Sequence, residues 1–146
     1  NFLNAEGKTP FVITANNVYH DWKMTETLGK IAVEEAAKQN KKVAVVGVGG
    51  LSGSIFRQVI DIAEDKIASE DEDQWNRKIL SLIEKGDVET LLSECPAYAG
   101  EARVDMGFKH MAFILGAIGG DYASATVHAY GPLYGSGGAV VEFHLN

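Results

Sequence analysis

Residues 43–52 read Val43-Ala44-Val45-Val46-Gly47-Val48-Gly49-Gly50-Leu51-Ser52, and this stretch decides the fold class. An unbroken β-favouring apolar run that ends in a glycine turn is the pattern of a strand covered on both faces. Upstream, a period-3.6 pattern begins at Thr25 and places Leu28, Ile31, Ala32, Glu35 and Ala36 on one helical stripe. Before that helix, Pro10 introduces a second apolar run, Phe11-Val12-Ile13-Thr14-Ala15, which Asn16-Asn17 stop. Strand, helix and strand in this order predict a right-handed βαβ unit with parallel strands.

Downstream, residues 51–62 read as a second helix and residues 64–73 as an acidic connector. Ser69 with Glu72 has the spacing of a capping box, and Trp75, Ile79, Leu82 and Ile83 form the buried stripe of a helix stopped at Lys85-Gly86. Asp87 is placed to cap a short helix carrying Val88, Leu91 and Leu92, which Pro96 interrupts. A long helix is expected over residues 100–118, with Gly119-Gly120 as its stop. The period then returns to two in residues 125–130 and 139–145, joined by the glycine-rich segment 131–138. The expected fold is α/β: a mixed sheet with helices on both faces and a C-terminal β-hairpin.

The 146 residues are 46% hydrophobic and 23% charged, the composition of a globular domain with one core. A net charge of −7 argues against nucleic acid and anionic membrane surfaces as partners. The single cysteine, Cys95, excludes an internal disulfide framework and a cysteine-rich zinc site, and fits a reducing cytoplasm. No apolar run has the length of a membrane span. The chain opens on Asn1 without a methionine, which leads us to expect a portion of a longer polypeptide.

Four features have the residue types of chemistry. Gly47-x-Gly49-x-x-Ser52, running on to Gly53, is similar to a dinucleotide fingerprint, whose glycines let a pyrophosphate approach a helix N-terminus. Its third position is serine, and the acidic residues that follow have no strand before them, so a tight turn accounts for it better. Glu101 falls on the stripe of Val104, Phe108, Ala112 and Leu115 in the first turn of the expected long helix. There a carboxylate either complements the positive helix end or points into a site as a metal ligand or base. His110 falls on the far side and reads as a surface residue. In the tail, Thr126, His128 and Tyr130 share one strand face, and Glu142 and His144 share another. Two histidines and a carboxylate are the donor set of a non-haem iron(II) site, although a solvated strand face has the same look. His20, beside Asp21 and Trp22 in the loop after the first strand, reads first as a surface or capping histidine.

Three segments together resemble the class III extradiol dioxygenases, the ring-cleaving non-haem iron(II) family that includes the protocatechuate 4,5-dioxygenases and the two-subunit 2-aminophenol 1,6-dioxygenases. They are Val43 to Ser52, then Trp75-Asn76-Arg77-Lys78 followed by Gly86-Asp87, and then Gly100-Glu101 leading into the long helix. The resemblance implies that Glu101 stands at the family's iron-ligand glutamate, and that the two ligand histidines lie upstream of this chain. Residues 1–146 would then be the C-terminal portion of one such domain, half of a larger unit. It also implies that the position after Gly-Gly-Leu-Ser carries an acid/base histidine, where this chain has Gly53. Glycine transfers no proton, and a positioned acid/base is worth ~10²–10⁴ in rate. His20 is the candidate substitute.

Asn16-Asn17-Val18-Tyr19 and His128-Ala129-Tyr130-Gly131-Pro132-Leu133-Tyr134 are similar to the two-subunit subgroup, in which a catalytic subunit is paired with a homologous subunit that lacks a working iron site. The expectation is a structural subunit of a complex that cleaves an aminophenol- or catechol-type ring. Iron(II) would sit in the homologous catalytic partner. The alternatives are an active subunit with a relocated acid/base and a nucleotide-binding module built on Gly47 to Gly53.

Overall fold

The computed structural model describes residues 4–15 and 18–146. Among them are four α-helices, α1 (Trp22–Lys38), α2 (Glu70–Lys85), α3 (Val88–Glu101) and α4 (Lys109–Ala117), and two strands, β1 (Ser124–Leu133) and β2 (Ser136–His144). The α/β class and the C-terminal hairpin stand as expected. The hairpin is the one sheet among the described residues, and it is antiparallel.

The core lies where α2, α3, α4 and the inner face of the hairpin meet. Ile79 and Ile83 of α2, Leu91 and Tyr98 of α3, Met111 and Leu115 of α4, and Tyr122 before the hairpin are all buried. Each large side chain so enclosed contributes ~1.5–3 kcal/mol of transfer free energy. Rings lock the centre, with Tyr98 edge-on to Phe108 at 5.2 Å between centroids and Tyr122 edge-on to Phe143 at 4.9 Å. The ends of α2 follow from sequence. Four acidic residues occupy its first turn, where they complement the helix dipole, and Gly86 closes it in the left-handed conformation at φ 67°.

α1 packs on α4 by glycine contacts. A Cβ at Gly29 would lie 2.1 Å from the Phe113 carbonyl oxygen, and one at Gly116 would lie 1.9 Å from that of Glu26. The two backbones therefore touch, and Thr25 and Gly29 are the buried residues of α1. The stripe of Leu28 and Ile31 is not the packed face, since these two residues are 40% and 47% exposed.

Three further expectations are corrected. Residues 11–15 and 43–46 form no strand ladder, so no βαβ sheet assembles among the described residues. Residues 51–62 are not helical; apart from a short 3-10 turn, Ile62–Glu64, this connector wraps irregularly around the hairpin tip. Asp65 fixes it there, its carboxylate accepting the backbone N–H groups of Tyr134 at 2.7 Å and Gly135 at 3.0 Å. The long helix over 100–118 is two helices: α3 runs through Pro96 to Glu101, and α4 begins at Lys109 after a 3-10 turn, Asp105–Phe108. At that elbow Arg103, Met106 and Phe108 all hold positive φ, a conformation that breaks a helix and costs ~1–2 kcal/mol per residue.

The hairpin is longer than the alternation predicts, because its ladder continues through the glycines to Leu133↔Ser136. Tyr134 and Gly135 alone make the turn, at φ 56° and 95°, as a two-residue turn between right-twisting strands requires. Near its base, a bulge between Val127 and Ala129 leaves His128 as the extra residue. One extra residue exchanges the strand faces. Tyr130 therefore packs against the core with Val127 and does not share a face with His128.

Candidate functional site

The loop 50–54 is pinned between α2, α3 and the hairpin. Leu51 N–H donates to the Gly137 carbonyl at 2.9 Å, Gly137 N–H returns a bond to the Ser52 carbonyl at 3.2 Å, and Gly53 N–H donates to the Ala102 carbonyl at 2.9 Å. Asn76, fully buried on α2, ties these parts together. Its Oδ1 accepts from Ser52 N–H at 3.0 Å and from the Tyr98 hydroxyl at 2.8 Å. Its Nδ2 donates to Ser52 Oγ at 2.9 Å and to the Tyr130 hydroxyl at 3.2 Å. All four of the amide's hydrogen-bonding positions are thus used.

The Tyr130 hydroxyl donates in turn to Asp73. Burial and the Asp73 bond hold the Tyr130 phenol up at about 12. Burial works against the Asp73 carboxylate, but the hydrogen bonds from Arg77 and Tyr130 outweigh it and hold the group below its ordinary value. Gly137 is required by close approach, for a Cβ there would stand 2.4 Å from Asn76 Nδ2. Glu72 turns inward instead of completing a capping box with Ser69, whose side chain makes no capping bond. Its Oε1 accepts from Ser54 Oγ at 2.6 Å.

The structure brings two of the sequence-selected positions together. The Gly53 N–H bond to Ala102 sets the loop against the residue that follows Glu101. A Cβ at Gly53 would lie 2.1 Å from the Arg103 carbonyl oxygen. No side chain of any kind fits at Gly53 while the elbow after α3 keeps its path. Glu101 sits at the last residue of α3 and not in the first turn of a helix, and it is exposed rather than core-facing. Its Oε2 accepts from Trp75 Nε1–H at 3.0 Å. Lys78 Nζ stands 4.6 Å above the same indole and pairs with Glu94 at 2.7 Å. Asp71, Gln74, Trp75, Lys78 and Glu101 line an open cavity of about 390 Å³.

The other candidates lie elsewhere. His20 is half-buried just before Asp21, the residue that caps α1; no hydrogen bond joins it to Gly53 or Glu101. His110 is not a surface residue: its ring stacks edge-on to Phe108 at 4.9 Å beneath the glycine loop, and burial lowers its pKa despite the opposing pull of Asp105. That packing also explains the glycines. A Cβ at Gly47 would strike Ile114, and one at Gly49 would strike the His110 ring. With no helix after the loop, a pyrophosphate would meet no helix N-terminus, so the dinucleotide reading loses its physical basis. On the hairpin, His128 pairs with Glu142 at 2.9 Å and His144 with Thr126 at 2.8 Å, all exposed. Burial pushes the Cys95 thiol up to about 12, which makes it a poor nucleophile at neutral pH.

Asn76, Tyr98 and Tyr130 were not foreseen as a connected group. A signal existed, because Asn76 is a polar residue on the apolar stripe of α2, three positions before Ile79.

Iron(II) is the cofactor that the resemblance implies, and the described residues by themselves do not make a site for it. The described residues hold no group of three His, Cys, Asp or Glu side chains placed to bind a metal. Glu101 stands alone, engaged by an indole N–H. Among the described residues no helix is long and apolar enough to cross a membrane.

No protein-family model matches the chain. Among the curated proteins that do are two of Pseudomonas sp. The 2-aminophenol 1,6-dioxygenase alpha subunit is 49% identical over 136 residues, covering 93% of this chain and 50% of the relative. The beta subunit of 2-aminophenol 1,6-dioxygenase is 25% identical over 143 residues, covering 91% of this chain and 47% of the relative. The chain thus spans about half the length of the curated relatives it matches. The likeness seen in the motifs extends along the sequence: this chain is similar to the 2-aminophenol 1,6-dioxygenase subunits, to alpha more strongly than to beta.

Proposed function

We propose that this chain is the C-terminal portion of a structural subunit in a ring-cleaving dioxygenase complex. The complex would act on an aminophenol- or catechol-type ring in the cytoplasm, with iron(II) and the acid/base chemistry in a homologous catalytic partner. The observation that carries the reading is the geometry at Gly53. At the position that resembles the family's acid/base histidine, even a methyl group would meet the Arg103 carbonyl oxygen at 2.1 Å. The space for the proton-transferring side chain has been taken by main chain, so the departure is built into the fold and is larger than a single residue change. His20 offers no replacement from its place before α1. The rest of the scaffold around the position is kept rigid by the Asn76 network, as a supporting role requires.

The test is co-expression of the longer subunit that carries this chain with a beta subunit. The expected result is co-purification, with ring cleavage of 2-aminophenol that survives Glu101→Gln in this chain. Loss of cleavage in Glu101→Gln, with the complex intact, would show that this carboxylate serves a working site and would overturn the reading.

A further inference from the structure

We propose that the elbow between α3 and α4 is a hinge through which two copies of this chain exchange residues 109–146, forming a domain-swapped dimer. Met106, Gly107 and Phe108 stand one after another in the left-handed region, at φ 53°, 62° and 62°, and Arg103 joins them at 53°. Residues with side chains visit that region singly, so a run of this kind is strained. The sequence favours a different course. No proline lies between Glu101 and Ile118, and Gly107 is the one glycine between Glu101 and Leu115. Ala102, Arg103, Met106 and Lys109 are good helix formers, and the stripe of Val104, Phe108 and Leu115 runs on across them.

Tertiary contacts hold the elbow against that preference. In a helix running straight through, the Ala102 carbonyl would accept from Met106 N–H and the Arg103 carbonyl from Gly107 N–H. Here Ala102 accepts from Gly53 N–H at 2.9 Å, the Arg103 carbonyl lies against Gly53, and Gly107 N–H donates to Val104 at 3.1 Å. Local preference and global fold conflict at these residues, and the conflict is relieved when α3 and α4 run on as one helix.

Straightening carries α4 and the hairpin away from their own chain. They close onto it through specific contacts. Gly116 lies against Glu26 of α1, Leu51 N–H donates to Gly137, and Ala68 N–H donates to the Gly135 carbonyl at 2.8 Å. The Tyr122 hydroxyl donates to the Ile83 carbonyl at 3.0 Å, and Phe56 meets Tyr134 edge-on at 6.1 Å between centroids. The segment that fits this cradle is 109–146 itself, so the occupant is that segment of a second copy. Reciprocal exchange remakes all these contacts between chains and releases the strain of two elbows, against the lost freedom of joining two molecules. A short hinge under strain invites such exchange. The contacts to be broken include the core, so exchange is expected when the chain refolds and not when folded molecules are mixed.

The test is to refold the protein from urea at low and high concentration and read the dimer fraction by sedimentation. Gly107→Ala adds a methyl that meets no neighbouring atom within 4 Å, so it acts on the backbone: it burdens the left-handed turn and favours the straight helix. It is expected to raise the association constant about tenfold or more, and Met106→Gly to lower it by about as much, since each dimer contains two hinges. In dimers refolded from a mixture of isotope-labelled and unlabelled chains, contacts between the Phe56 and Tyr134 rings are expected from one chain to the other in filtered NOE spectra. Three results would each overturn the inference: a monomer at every concentration in both the unsubstituted and Gly107→Ala chains, an association constant that neither substitution changes, or a dimer whose Phe56–Tyr134 contact stays within one chain. Should Gly107→Ala fail to fold, the unsubstituted chain and Met106→Gly still decide the matter. Iron and ring cleavage enter none of these readouts, so the inference stands or falls apart from the proposed function.

Discussion

Asn76 is the side chain on which the loop, two helices and the hairpin depend. Replacing it with alanine strips Ser52 N–H and the Tyr98 hydroxyl of their acceptor inside the core. An unsatisfied buried polar group costs ~1–3 kcal/mol, so Asn76→Ala is expected to lose about 2–5 kcal/mol in urea unfolding. A loss under about 1 kcal/mol would mean that the network is not structural. At Gly53 the prediction is steric. Gly53→Ala and Gly53→His both force the Arg103 carbonyl aside, at the ~1–3 kcal/mol typical of overpacking, and neither creates ring cleavage. Calorimetry and an activity assay of the two variants check this.

His110 sets a pH dependence. Its folded pKa is lowered by burial, so on acidification the unfolded chain takes up the proton first. Stability is therefore at its full value above the ordinary histidine pKa of ~6.5 and falls as the pH drops below it, levelling off beneath the lowered folded value. His110→Phe is expected to flatten the pH dependence of the unfolding midpoint below about pH 6.5; an unchanged slope would assign it to other groups. None of this was legible from His110 itself, because its burial depends on the two glycines of a loop some sixty positions upstream.

Among the elements, local patterning and tertiary context divide the outcome. The stop of α2 at Gly86, the Asp87 cap and the hairpin were readable because each depends on a few adjacent residues. The α3–α4 elbow was not, since Val104, Phe108 and Leu115 continue a helical stripe across residues whose backbone has turned left-handed. Nor was the His128 bulge, which moved Tyr130 to the core face without disturbing the alternation of residue types. The α1–α4 contact was hidden because its signal is small residues and not apolar ones. Gly116→Ala is expected to push α1 off α4, since the added methyl meets the Glu26 carbonyl at 1.9 Å. Hydrogen exchange should then rise throughout α1 while α2 and α3 stay protected; equal exchange in all helices would mean that the molecule opens as one unit.

For the whole molecule, the α/β class and the relationship to the dioxygenase subunits followed from the order and spacing of weak motifs. The central sheet did not. The runs at 11–15 and 43–46 have strand character, but a strand takes its place in a sheet through a neighbour's backbone, and the described residues supply none. The candidate site was legible as a pair of positions, Gly53 and Glu101, and the structure sets them on adjoining backbone. What the spacing could not show is that a Cβ at Gly53 would lie 2.1 Å from the Arg103 carbonyl oxygen, which leaves no room there for a side chain. The proposed function requires that the subunit proposed to carry this chain has no working iron site. The direct measurement is iron content and 2-aminophenol cleavage of the longer subunit that carries this chain, purified without its partner: we predict no stoichiometric iron and no cleavage, and one iron(II) per chain with ring cleavage would contradict the account.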